Sequence, residues 1–234
     1  MFFFDPLFLI LVGPAMLFGL WAQSRVRGAF KKYSRVATMR GMTGAEVARQ
    51  LLNSQGLYDV TIEETRGTLS DHYDPRSRTL RLSSDVYNGQ SIAAAGIAAH
   101  EMGHALQHAQ GYSALQLRSA IVPAVQFGSW LGPLVFFAGF LLSGVATIFT
   151  SLAWVGIALF ALTTLFTLIT LPVEYDASRR AKALLVGDGL LLRNEMAGVN
   201  KVLDAAALTY VAAAVSSILT LLYYAMLLTG ISRD

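Results

Sequence analysis

Residues 119–173, SAIVPAVQFGSWLGPLVFFAGFLLSGVATIFTSLAWVGIALFALTTLFTLITLPV, contain no Asp, Glu, Lys, Arg or His. A helix that crosses a bilayer needs about 20 predominantly apolar residues, so this stretch is long enough for two, with Ser143-Gly144 as the turn between them. Two shorter charge-free runs, 6–24 and 205–232, have room for one helix each. Four transmembrane helices follow, at roughly 3–22, 122–142, 146–171 and 207–229. The first run has no basic residue before its apolar core, and Arg and Lys follow it at once. That order describes a retained anchor better than a cleaved signal segment.

The composition agrees. Hydrophobic residues make up 54% of the 234 and charged residues 14%, against about a quarter charged in soluble domains. With no cysteine in the chain, disulfides, thiolate metal sites and cysteine nucleophiles are excluded, and a metal would have to be held by His, Asp or Glu. The net charge of +3 does not indicate nucleic acid, because the basic residues cluster beside the hydrophobic runs. Arg25, Arg27, Lys31, Lys32, Arg35 and Arg40 precede the first acid after the anchor, Glu46. By the positive-inside rule, segment 23–118 is cytoplasmic and the N-terminus lies outside. The hairpin 119–171 crosses twice and returns 172–206, which carries Arg179, Arg180, Lys182, Arg193 and Lys201, to the same side. The last helix and tail, 207–234, place the C-terminus outside. The expectation is a multi-pass cell-membrane protein with both polar segments on the cytoplasmic face.

Within those segments, Thr43 and Glu46 fit a capping box opening a helix over 43–53. The alternation around 60–62 and 79–82 suggests two short strands, and Asp74-Pro75 marks a turn. Strand 79–82 is read as an edge that an extended peptide could join. Residues 91–109, SIAAAGIAAHEMGHALQHA, form an Ala-rich helix. Pro172 begins another, Gly187-Asp188-Gly189 ends it, and 191–204 form a further amphipathic helix. The fold class is mainly α: four membrane helices plus a cytoplasmic α+β catalytic region, 23–118, with a short sheet.

The chemistry lies in the 91–109 helix. His100-Glu101-Met102-Gly103-His104 is an H-E-x-x-H motif. Residues i and i+4 share a helix face, so both imidazoles can reach one zinc ion, and Glu101 is placed to take a proton from zinc-bound water. A catalytic zinc normally has three protein ligands and an open position. His108 is about 12 Å along the helix from His100, too far to share the ion on a straight helix. No acid occurs between Glu101 and Glu174. Glu174 returns to the compartment of the two histidines, and Asp188 is its competitor as third ligand.

HEMGHALQHAQGY, followed after a hydrophobic hairpin by PVEYDASRRAKALL, resembles the YugP-like membrane neutral zinc metallopeptidases, and the resemblance covers the whole chain, including DHYDPRSRTLRLS upstream. More distantly, the chain is similar to HtpX-type and CAAX-prenyl membrane metalloproteases. The resemblance implies a zincin-like fold, one zinc ion and Glu174 as third ligand. Ser178 stands where the distant families carry an Asp that buttresses a ligand histidine.

The resulting expectation is a zinc-dependent membrane endopeptidase with Glu101 as general base. Its partners are a peptide or protein substrate and the lipid bilayer. Oxyanion or supporting groups are drawn from His108, His72, Tyr73, Tyr175, Ser178 and Arg179. The rival readings are a site-2-type intramembrane protease using Asp188 and a non-catalytic zinc-binding membrane scaffold. A transporter would normally carry ionisable groups within its spans, and the runs 6–24, 119–173 and 205–232 carry no Asp, Glu, Lys, Arg or His.

Overall fold

The computed structural model describes residues 5–230. Positions 3 and 4 of the first expected span, and both chain ends, lie outside the described residues. The elements run α1 (Pro6–Tyr33), α2 (Gly44–Ser54), β1 (Thr61–Thr65), β2 (His72–Asp74), β3 (Thr79–Ser83), α3 (Ser84–Tyr87), α4 (Ile92–Ala109), α5 (Ser113–Leu142), α6 (Thr147–Gly187) and α7 (Met196–Thr229). Helices α1, α5, α6 and α7 are each long and apolar enough to cross a membrane. The chain divides into two compact units, one of Met1–Trp21, Leu117–Leu171 and Thr209–Asp234, the other of Ala22–Gln116 and Pro172–Leu208.

Among the described residues, the first unit is built of helices and is predominantly apolar. Its interior is a cluster of rings: Phe136 stacks on Tyr224 with centroids 4.4 Å apart, and Phe137, Phe140 and Phe160 pack around them. Glycines bring α5 and α6 into backbone contact. A Cβ added to Gly156 would lie 2.3 Å from the Phe136 nitrogen, and one on Gly139 would lie 2.4 Å from that of Ala153. Close approach of this kind is how helices associate where hydrophobic burial gives no net drive. Gly128 and Gly132 make similar approaches, whereas Gly144, in the turn, has open space around it. Large apolar side chains such as Phe127 and Trp130 face outward, each 70% exposed. A surface of this kind suits lipid rather than water.

The second unit has its own core, in which Leu51, Leu52, Leu80, Leu82, Met102 and Leu185 are fully buried. Helix α2 carries the expected capping box: Thr43 Oγ1 accepts from Glu46 N, and Glu46 Oε2 accepts from Thr43 N. Its sheet has three strands in the order β1-β3-β2. Strand β3 is central, parallel to β1 and antiparallel to β2. This corrects the edge assignment of 79–82; the edges are β1 and β2. Leu80 and Leu82 point to the core between two hydrogen-bonded neighbours. Strand β2 is too short and too polar to show alternation. It is fixed instead by its turn, where Asp74 accepts from Arg76 N and Ser77 Oγ, and by pairing with β3.

The long helices also depart from the expected breaks. Helix α6 continues through Pro172 rather than restarting there, and α7 fuses the expected segments 191–204 and 207–229. A proline removes one backbone hydrogen bond. Ending a helix beside an apolar run would strand several polar backbone groups, which costs more. In α7, Asp204-Ala205-Ala206-Ala207 contains strong helix formers and no breaker. Gly187 does end α6, and Gly189 adopts φ +64°. Residues 191–195 are a loop in which Glu195 accepts from Leu192 N and Met39 N.

Gly156→Val would force α5 and α6 apart at a backbone contact. Overpacking of this size costs about 1–3 kcal/mol, so the detergent-solubilised protein should unfold several degrees lower. Gly144→Ala, in open space, should leave the unfolding temperature unchanged.

Candidate metal centre

Helix α4 begins at Ser91, whose hydroxyl accepts from Ala94 N at 3.1 Å. Its Ala93, Ala94, Ala95, Ala98 and Ala99 are all buried. Small side chains let neighbouring elements close around this helix, so the motif at 100–104 is held in the interior rather than at the surface. The decisive approach is at Gly103: a Cβ there would lie 2.6 Å from the Ala177 carbonyl oxygen. Glycine at the fourth place of His100-Glu101-Met102-Gly103-His104 lets α6 rest its backbone directly on α4. Ala177 is flanked by Glu174 one turn back and by Ser178, and both turn toward the histidines.

The Glu174 carboxylate reaches both imidazoles. Its Oε2 is 3.1 Å from His100 Nε2 and 3.4 Å from His104 Nε2. One ligand atom from each of the three residues lies within 4.8 Å of the others, and this is the metal-capable group among the described residues. The spacing fits zinc. A tetrahedral ion with bonds of about 2.0–2.1 Å separates its ligand atoms by about 3.3 Å. The two imidazole planes cross at 84°, so their Nε2 atoms converge while the rings stay apart.

Each histidine is oriented from behind. His100 Nδ1 is 3.1 Å from Ser178 Oγ, and His104 Nδ1 is 3.0 Å from Gln107 Oε1. With Nδ1 engaged, Nε2 is left for a metal. Gln107 is fully buried, and its amide donates to Val173 O at 2.8 Å and to Asp176 Oδ2 at 2.9 Å. Asp176 is also paired with Arg179 and Arg180. The amide therefore ties α4 to α6 while holding His104. A polar residue three positions after His104, one turn on along the face of the two histidines, was the available sequence signal for Gln107.

Electrostatics follow burial and pairing. Burial works to raise the Glu174 carboxyl, but hydrogen bonds with His100 and His104 outweigh it and hold the group well below the usual carboxylate range. Burial raises Glu101, only partly opposed by the two histidines. Burial works to lower His104, and its bond to Glu174 more than reverses this.

The other expected contributors are placed as follows. His108 Nδ1 is 2.9 Å from the Tyr73 hydroxyl, and the two line a cavity of about 240 Å³ together with Asp59 and Arg78. His72 Nδ1 is 2.8 Å from Ser70 O, and the ring is exposed. Tyr175 is 52% exposed. Arg179 is engaged by Asp176. Asp188, the competing ligand, accepts from Ser54 Oγ and is outside the metal-capable group.

The family model described as "Putative neutral zinc metallopeptidase" matches residues 8–229. The chain is 51% identical over 221 residues to "Putative membrane protease YugP" of Bacillus subtilis (strain 168), covering 94% of this chain and 96% of that protein. No solved structure matches the chain.

Glu174→Ala should abolish zinc retention, measured by elemental analysis of the detergent-purified protein, while Asp188→Ala keeps its zinc. The reverse pattern would disprove this ligand set. Gln107→Leu keeps the volume but frees His104 Nδ1. It should weaken zinc affinity about 10–100-fold in chelator competition, the usual consequence of losing such a partner.

Proposed function

The chain belongs to the putative neutral zinc metallopeptidase family, and from that premise we propose that it is a zinc-dependent membrane endopeptidase with Glu101 as general base. The observation that carries this reading is the convergence of His100, His104 and Glu174 ligand atoms within 4.8 Å, with Glu101 on the same buried stretch of α4.

Zinc bound there supplies Lewis acidity toward a water molecule and the scissile carbonyl. The chain's residues do the rest. His100 and His104 present Nε2, held by Ser178 and Gln107. Glu174 adds one negative charge. Glu101 follows His100 directly, accepts the proton of the attacking water and passes it to the leaving amine. An extended peptide would join the outer edge of β2, the edge strand packed against α4, since β3 is paired on both sides. Main-chain pairing of this kind reads an extended backbone more than a particular sequence, which favours unfolded substrates. The basic residues of 23–118 and 172–206 support a cytoplasmic active site with both termini outside. The bond between Asp188 and Ser54 speaks against the intramembrane alternative.

Glu101→Gln separates a hydrolase from a zinc-binding scaffold. The variant should keep wild-type zinc content and lose cleavage of an unfolded test protein by about 10²–10⁴-fold, the contribution of a positioned general base. Equal cleavage by both proteins, each with zinc bound, would remove Glu101 from the role. No cleavage by zinc-loaded wild type across a panel of unfolded substrates would favour the scaffold.

A further inference from the structure

A basic cleft separate from the metal centre lies between α1 and α7. It has a volume of about 380 Å³, and Arg25, Lys32 and Lys201 line it without any acidic residue. On α1 the lining residues Arg25, Gly28, Ala29 and Lys32 fall at i, i+3, i+4 and i+7, which is one helix face. The two cations stand about two turns apart, roughly 10.5 Å along the axis, with the two smallest side chains as a floor between them. An added Cβ on Gly28 would meet no atom within 4 Å, so this floor is open. Across the cleft, α7 contributes Lys201 and Ala205. The nearby acid Asp204 is turned to Lys182, 2.8 Å away. Close packing at one end fixes the spacing of the helices: a Cβ on Gly198 would lie 2.9 Å from the Tyr33 ring.

We infer that this cleft binds the phosphate-bearing headgroup of an anionic phospholipid. Three positive side chains around an open, small-residue floor suit a phosphate, and the volume is within the range of small-ligand clefts, about 300–1,000 Å³. The position along the chain identifies the source. Arg25 directly follows the charge-free run 6–24, and Lys201 lies one turn before the run 205–232. Both helices thus bring their first cations past an apolar run to one cleft. This is the headgroup level of a membrane helix, where basic pockets select anionic lipids. The inference does not depend on the hydrolytic reading.

The test is native mass spectrometry of the full-length, detergent-purified protein titrated with phosphatidylglycerol, phosphatidylcholine of the same acyl chains, or inorganic phosphate. Wild type should bind phosphatidylglycerol at least tenfold more tightly than phosphatidylcholine. Arg25→Gln and Lys201→Gln should each weaken that binding about fivefold, the effect of one basic side chain at an anionic surface. Gly28→Leu, which fills the floor without changing charge and favours helix, should erase the preference. Equal binding of the two lipids, or full preference in Gly28→Leu together with either charge variant, would overturn the inference. So would inorganic phosphate binding as tightly as phosphatidylglycerol and displacing it, which would make the ligand a free phosphate.

Discussion

The contact on which the metal centre depends is between backbones: the Gly103 Cα face of α4 against the Ala177 carbonyl of α6. Side chains projecting from two helices meet a common ion only if the axes are close, because carboxylate and imidazole reach are both limited. A methyl group at position 103 would meet a main-chain oxygen, which cannot swing aside as a flexible side chain could. Glycine at this place sets the interhelical distance, and Glu174 and Ser178, on either side of Ala177, then come to the two histidines without stretching. The Ala-rich first half of α4 serves the same end, since it lets the rest of the unit close around the helix.

Closeness alone does not orient an imidazole, which rotates about two side-chain bonds. The structure removes that freedom with one hydrogen bond per ring, Ser178 for His100 and Gln107 for His104. Gln107 is buried and is anchored in turn by Val173 O and Asp176. Its amide oxygen can only accept, so His104 Nδ1 must carry the proton and Nε2 the free lone pair. Asp176 therefore acts on His104 through an amide rather than directly. A serine and a glutamine, both supplied from outside the ligand set, thus share the orienting of the two rings.

What the sequence made legible follows from which features are local. Charge-free runs, a capping box and an i, i+4 histidine pair are each decided within one continuous stretch of chain, and all of them could be read from it. Strand β2 could not, because three polar residues carry no periodicity and are fixed only by pairing with β3. The same gap hid the edge. Strand 79–82 reads alone as a free strand, and only the pairing on both sides shows that it is central. Pro172 misled for a related reason: its local penalty is visible in the sequence, while the larger cost of leaving backbone groups unpaired beside an apolar run is not. Gly103 and Gln107 were visible as letters, but their work is to meet residues some 70 positions away.

Charge balance joins these points. Two buried carboxylates, Glu101 of α4 and Glu174 of α6, stand beside the two imidazoles of α4. Burying one ionised carboxylate is costly and burying two close together is costlier. Burial accordingly raises Glu101, and only its two histidine neighbours hold Glu174 low. A divalent cation held by His100, His104 and Glu174 would match the two negative charges with two positive ones and would let both carboxylates stay ionised beside neutral imidazoles. The site is built for a charge as well as a geometry. A chain that wanted only a packed helix pair at Gly103 and Ala177 would have no reason to bury two acids beside it.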